Sequence, residues 1–300
     1  MNAVELKDVE KRYGSTRALS QLSFQVPKGS VTALIGPNGA GKTTAMGVIA
    51  GLLRPSQGQV DLLGQGAFAI EKHAGRIGIM PQDSTPSEHA SIGDSLRFYA
   101  QLQGMEKGEA EREVAMWLQK VHLTDRARAK YGALSHGMRR RFSLAQAMLG
   151  RPELVLLDEP TSGLDPELVV EIRNVIVDLR GTSTVLVSSH ILSELEAMCD
   201  HAVFIENGTC TRQGAMAKIT GRDAVVRYRL SKEPDLKQLA KSAPEFDMTW
   251  SRSLLTVRSS ADHTVEDINA VCLRAVLDAG VGILEVQAGE SLESAYLAKK

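Results

Sequence analysis

Hydrophobic positions along the first forty residues recur at the spacing of strands. Val4, Leu6 and Val9 open the chain, and Leu22, Phe24 and Val26 alternate with polar neighbours, the period of a half-buried strand. Val31 to Ile35 is an apolar run with no polar face, which suits a central strand covered on both sides. A glycine-rich turn follows at once. From Thr43 to Leu53, Ala45, Val48, Ile49 and Leu52 then fall at helical spacing. Between Ser91 and Leu149 the pattern is mostly helical. Leu96, Tyr99 and Leu102 predict one helix behind Ser91-Ile92-Gly93-Asp94, and Val114, Leu118 and Val121 predict another from Gly108 to Val121. Two further buried-strand runs, Leu154–Leu157 and Thr184–Val187, bracket a helix from Pro166 to Arg180. Strands alternating with helices predict a mainly parallel α/β core carrying a helical insertion at about residues 91–149.

The pattern changes after Gly221. Val226, Tyr228 and Leu230 alternate with Arg227, Arg229 and Ser231, and a helical stretch follows at Asp235 to Lys241. Strand residues recur at Met248–Trp250 and Leu254–Val257, a helix runs from Val265 to Ala279, and Val281–Val286 closes the series. The order β-α-β-β-α-β is that of a split βαβ unit, so residues 222–300 are expected to form a small α+β domain of their own.

Composition narrows the function. Lys and Arg total 35 against 36 Asp and Glu, a net charge of −1, where a dedicated nucleic-acid binder carries a basic excess. No apolar run approaches the roughly 18 residues of a membrane span. Met1 to Glu10 also has no signal-peptide core, so the expectation is a cytoplasmic chain that does not cross a membrane by itself. The three cysteines, Cys199, Cys210 and Cys272, are an odd number without a CxxC pair and read as reduced thiols.

The chemistry gathers at two places. Gly36-Pro37-Asn38-Gly39-Ala40-Gly41-Lys42-Thr43-Thr44 matches GxxxxGK[ST] between a buried strand and a helix, the context that the phosphate-binding loop requires. Glycines let the backbone curl so that N–H groups point at phosphate oxygens, and the helix N-terminus adds positive potential. In that loop Lys42 reaches the β- and γ-phosphates, and the Thr43 hydroxyl coordinates Mg²⁺. The apolar run Val155 to Leu157 ends in Asp158-Glu159-Pro160, which places one carboxylate near the metal shell and the next beside the attacking water.

Between these two lies Leu134-Ser135-His136-Gly137-Met138, which resembles the signature of ATP-binding cassette (ABC) ATPases in its LSxGM form. Other motifs of that family follow in order. Tyr13 sits where an aromatic stacks on adenine, and Gln82, in Met80-Pro81-Gln82-Asp83, fits the Q-loop. Ser162-Gly163-Leu164-Asp165 fits the D-loop, and His190, in Ser188-Ser189-His190-Ile191, the switch histidine. The resemblance covers about residues 3–220. It implies an ABC ATPase domain at 1–221 with an antiparallel N-terminal β-subdomain. It implies ATP and Mg²⁺ as cofactors, with Glu159 and His190 catalytic and Thr43, Gln82 and Asp158 around the metal. ATP contacts would come from Tyr13, residues 36–44 and Gln82, together with Ser135, Gly137 and Asp165.

In this family two cassettes pair head to tail, the phosphate loop of one facing the signature of the other. The resemblance therefore implies a homodimer or a heterodimer with another ABC ATPase. It also implies integral-membrane permease subunits on separate chains, which would hold this chain peripherally on the cytoplasmic face. Ser291-Leu292-Glu293-Ser294-Ala295-Tyr296-Leu297 resembles the terminal segment of ABC-2-type export ATPases. The alternative is a soluble ABC ATPase acting on DNA or ribosomes. It fits less well, because there is no long coiled coil and only one cassette. His136 departs from the glycine of many members, and Arg139 to Arg141 read as a solvated helix face and not a nucleic-acid patch.

Overall fold

The computed structural model describes residues 1–81, 89–221, 225–259 and 263–297. These divide into two compact units, Met1–Gln213 and Gly214–Lys300. The N-terminal alternation becomes strands β1 (Asn2–Tyr13) and β2 (Thr16–Pro27), paired antiparallel. The apolar run is β3 (Val31–Ile35), buried at every position, and it leads through the glycine-rich turn into helix α1 (Lys42–Ile49). Strand β4 (Gln57–Leu62) returns to pair with β1 and gives a three-stranded sheet of order β2-β1-β4. Helix α2 (Ile70–His73) and strand β5 (Ile77–Met80) follow.

Helices α3 (Ile92–Leu102), α4 (Lys107–Lys120) and α5 (His136–Ala147) pack on one another, and α5 also packs on β5. The remaining elements are β6 (Leu154–Asp158), α6 (Pro166–Val177), β7 (Thr184–Ser188), α7 (Leu192–Met198), β8 (His201–Glu206) and β9 (Thr209–Ala215). Among the described residues the second sheet has the order β5-β6-β7-β3-β8-β9, parallel from β5 through β8. Both sheets share one core: Leu6, Phe24 and Leu62 meet Ala45, Met46 and Ile49 of α1 and Leu34, Leu156 and Leu186 of the parallel strands. Removing these side chains from water is the main term fixing α1 against both sheets.

The second unit begins with α8 (Met216–Thr220) and contains β10 (Val225–Leu230), α9 (Leu236–Ser242), β11 (Phe246–Ser251), β12 (Leu254–Ser259), α10 (Val265–Asp278), β13 (Ile283–Ala288) and α11 (Leu292–Leu297). Its antiparallel sheet runs β11-β12-β10-β13, the arrangement of a split βαβ unit. Tyr228, Leu255 and Val257 face Leu239 of α9 and Ile268, Cys272 and Val276 of α10. Helix α10 starts at a capping box in which Thr264 and Asp267 satisfy each other's backbone N–H. Burial pushes the Cys272 thiol up to about 11, so at neutral pH it is an apolar filler and not a nucleophile.

Several sequence expectations shift at their edges. The helix expected to reach Leu53 stops at Ile49 because Gly51 turns left-handed (φ 73°), and Leu52 is left exposed. The strand expected at Val281–Val286 runs Ile283–Ala288, and Val281 drops into the core as part of the turn leading to it. Strands β4, β5, β8 and β9 go beyond the elements that the hydrophobic pattern predicts. Three of them lie toward sheet edges or carry broken alternation, and β8 is a short apolar run readable as helix or strand.

Edge strand β5 is tied to its neighbour by charge as well as by its ladder. Arg76 Nε donates to Glu153 Oε1 at 2.7 Å, and Lys28 approaches the same carboxylate at 3.6 Å. The Arg76 hydrogen bond holds the Glu153 carboxyl below the usual carboxylate range, with the charges of Arg76 and Lys28 adding to it. A lowered carboxyl pKa stabilises the fold above the unfolded-state value, and that contribution disappears as the pH falls through the folded-state value. Because the pair is solvent-accessible, Glu153→Gln should cost less than about 1 kcal/mol at pH 7. The difference from the parent should vanish in urea titrations at a pH low enough to protonate the parent's Glu153 in both the folded and the unfolded chain.

Candidate nucleotide site

The phosphate-loop residues lie at the C-terminal end of β3, the end at which parallel sheets bind ligands. The backbone leaves no room for side chains at two of its glycines. A Cβ on Gly36 would stand 2.2 Å from the Ile205 carbonyl oxygen of β8. Gly41 takes φ 104° as the residue capping α1, where a Cβ would meet the Ala18 carbonyl at 2.8 Å. Lys42 curls back over the loop, its Nζ donating to the carbonyls of Gly36 (2.7 Å) and Pro37 (3.2 Å). The ammonium is thereby fixed against the loop backbone.

A row of hydroxyls and one carboxylate crosses from α1 to β7. Thr43 Oγ1 donates to Asp158 Oδ2 at 2.9 Å, and Ser188 Oγ donates to Asp158 Oδ1. Asp158 is 3% exposed, so both bonds form where water does not compete. Parallel pairing puts Asp158 opposite Ser188 and so sets this row. The next residue, Glu159, lies in the left-handed region (φ 55°), an unfavourable conformation for a side-chain-bearing residue. Its N–H donates to the Ser188 carbonyl (3.2 Å) and to Ser188 Oγ (3.1 Å). Its carboxylate Oε2 lies 2.7 Å from His190 Nδ1.

These groups enclose one cleft of about 600 Å³, lined by Ala18, Asn38, Gly39, Gly41, Lys42, Thr43, Thr44, Asp158, Glu159, Ser162 and His190. Its size is that of a small-molecule site. One end is rich in phosphate donors and the other carries the carboxylate–imidazole pair.

The other predicted residues stand elsewhere. Tyr13 ends β1, half-exposed, with the Lys11 ammonium 5.2 Å from its ring centre. Ser135 caps α5, its hydroxyl accepting from Met138 N–H at 3.3 Å. Gly137 faces the 163–164 turn: a Cβ there would meet Leu164 Cδ2 at 3.2 Å. His136 packs over Gly163, and Asp165 precedes α6 as its capping residue. In a single chain, then, Ser135, Gly137 and Asp165 form a second surface that does not line the cleft. Gln82 lies outside the described residues.

One sequence expectation is corrected. Arg140 and Arg141 are not on a solvated face but are buried, 6% and 9% exposed. Arg141 Nη1 donates to the carbonyls of Val121 (3.0 Å) and His122 (2.9 Å), closing the end of α4. Arg140 Nη2 donates to the carbonyls of Asp158 (2.7 Å) and Glu159. A buried carbonyl left without a donor costs about 1–3 kcal/mol, and guanidinium groups from α5 help to satisfy two loop and strand ends, the Glu159 carbonyl also accepting from Ser162 N–H at 3.2 Å. The only sequence signal was a run of three arginines, which charge counting assigns to solvent.

Residues 19–162 match the family model for ABC transporters. Over 305 residues the chain is 30% identical to the linearmycin resistance ATP-binding protein LnrL of Bacillus subtilis, covering 98% of this chain and 97% of that protein. The chain belongs to the ABC transporter ATP-binding proteins. It is also 36% identical over 217 residues to the Nod factor export ATP-binding protein I of Burkholderia orbicola, covering 71% of this chain and 70% of that one. Among solved structures, the ATP binding subunit of an ABC transporter superposes with a TM-score of 0.67 at 28% identity, covering 73% of this chain and 92% of that one. An ATP-binding cassette in its ADP conformation gives 0.61 at 26%, covering 72% and 91%. The fold is that of an ABC ATPase, and the activity is ATP hydrolysis. No described helix is long and apolar enough to cross a membrane.

Gly36→Ala tests the loop geometry directly. The methyl group must displace either β8 or the loop backbone. ATP affinity, read by equilibrium titration, should fall at least about tenfold, or about 1.4 kcal/mol.

Proposed function

We propose that this ABC ATPase drives export through integral-membrane permease subunits carried on separate chains, using the cleft residues in the roles their geometry supports. The observation that carries this reading is the convergence of Lys42, Thr43, Asp158, Glu159 and His190 on one cleft. Both relatives named above are ATP-binding proteins of export or resistance, and one of them spans nearly the whole of this chain.

Lys42 and the loop N–H groups bind the β- and γ-phosphates of ATP, and Tyr13 stacks on its base. Thr43 and Asp158 are hard oxygen donors 2.9 Å apart, which fits Mg²⁺, and Gln82 is assigned to the same shell from the sequence pattern alone. When bound, that ion neutralises charge on the transferring phosphoryl group. Glu159 accepts the proton of the attacking water. His190, on its Oε2, holds the carboxylate toward the γ-phosphate.

Ser135 and Gly137 lie away from the cleft, and this supports head-to-tail pairing in which they meet the partner cassette's ATP beside Asp165. ATP then bridges two chains and its hydrolysis releases them, a two-state clamp. The chain is placed on the cytoplasmic face of the membrane by docking to the permease, and its balanced charge argues against nucleic acid as a partner.

Two outcomes test this. Glu159→Gln should retain ATP binding, slow hydrolysis by about 10² to 10⁴, and accumulate an ATP-bound dimer on size exclusion. Parental turnover in that variant removes Glu159 as the base. Separately, the chain expressed alone should stay in the supernatant, and co-expression with its membrane partner should shift it to the membrane fraction. Binding of the lone chain to bare lipid vesicles contradicts permease docking.

A further inference from the structure

Helix α5 begins at the signature serine, Ser135, and runs inward beneath the end of β6. Arg140 lies on it five positions after Ser135. Its guanidinium is buried and reaches three pieces of backbone. Nη2 donates to the carbonyls of Asp158 and Glu159, and Nη1 approaches the Pro81 carbonyl just beyond β5 at 3.4 Å. Glu159 itself is held at every polar end. Ser188 takes its N–H, Arg140 its carbonyl, and His190 its carboxylate.

Such a clamp has a purpose at this position. A left-handed residue relaxes toward ordinary φ unless its surroundings over-determine it. Relaxation at Glu159 would rotate its peptide and swing the side chain, displacing the carboxylate from the γ-phosphate end of the cleft. Ser188 holds only the N-terminal side of that residue. On the C-terminal side the carbonyl accepts locally from Ser162 N–H at 3.2 Å, and Arg140 supplies the donor that reaches it from another element.

We propose that Arg140 is a positioning residue for hydrolysis: it fixes the backbone of Glu159, and through α5 it ties the placement of that base to the signature segment of the same chain. This rests on the reading of Glu159 as the base and of Ser135 as a contact to the partner's ATP. A cassette's signature segment, engaged with one ATP, thus presses through one rigid helix on the base that hydrolyses the other. Charge and length both matter. A lysine ammonium has three rotatable donors but no fixed plane, whereas the guanidinium holds its N–H groups in a rigid fork, and a glutamine is too short to span both carbonyls.

The test is steady-state ATPase and equilibrium ATP binding on the full chain, with melting curves to confirm folding. Arg140→Gln should lower kcat at least tenfold while leaving KM and ATP affinity within about threefold, and Arg140→Lys should recover part of the loss. The Hill coefficient for ATP should fall toward one in Arg140→Gln, because the two sites lose their connection. A double-mutant cycle with Glu159→Gln separates positioning from general loosening. If Arg140 acts through Glu159, adding Arg140→Gln to Glu159→Gln should change the residual single-turnover rate by less than threefold. Unchanged kcat in a folded Arg140→Gln, an equal rise in KM, or multiplicative losses in the double variant each overturn the proposal. Glu159→Gln alone serves as the control: parental turnover there defeats the reading of the base, whatever Arg140 does.

Discussion

A single residue held against its preferred backbone conformation organises this ATPase. Glu159 sits at φ 55° one position past the end of a central strand, and the surrounding elements are arranged so that it stays there. Strand β7 supplies Ser188, whose hydroxyl accepts from Glu159 N–H while donating to Asp158. Helix α5 supplies Arg140, and the loop after β7 supplies His190. Moving any of these changes where the Glu159 carboxylate stands in the cleft. The cost of the left-handed turn is offset by bonds that form only when sheet and helix are both in register.

That dependence explains why the parallel sheet is so apolar. Strands β3, β6 and β7 are buried at every position, so a slip in register would carry the whole chemistry away from the cleft. Parallel pairing of Asp158 with Ser188 sets one hydroxyl–carboxylate contact, and the turn from β3 into α1 sets the other through Thr43. The N-terminal antiparallel sheet shares its core with α1 and so holds the phosphate loop from above. Rigidity at the loop comes from close packing: two glycines sit so tightly against neighbouring carbonyls that no other residue fits.

The second unit follows a different logic. It carries its own core around Tyr228, Leu255 and Ile268, its own capping box, and a buried thiol kept protonated by its surroundings.

The sequence alone determined the family, the strand–loop–helix unit that carries the phosphate loop, and the strand that carries Asp158 and Glu159. A GxxxxGK[ST] match between a buried strand and a helix, and Asp158-Glu159 at a strand end, are local patterns with local physical causes: glycine where no Cβ fits, a carboxylate where an apolar run meets solvent. Tertiary structure decided the rest. Whether Arg139 to Arg141 face water or carbonyls depends on what packs over α5, and neither charge nor helical spacing encodes it. The left-handed turn at Glu159 is invisible in a residue type that seldom adopts it, because the hydrogen-bond partners enforcing it, a donor in Arg140 and an acceptor in Ser188, come from positions nineteen residues before and twenty-nine after. Helix α1 ends four residues earlier than its apolar pattern suggests, since Gly51 finds room for a positive φ and lets Leu52 point outward. Periodicity reports which face of an element is apolar, but which polar group satisfies which distant carbonyl is settled only when the elements meet.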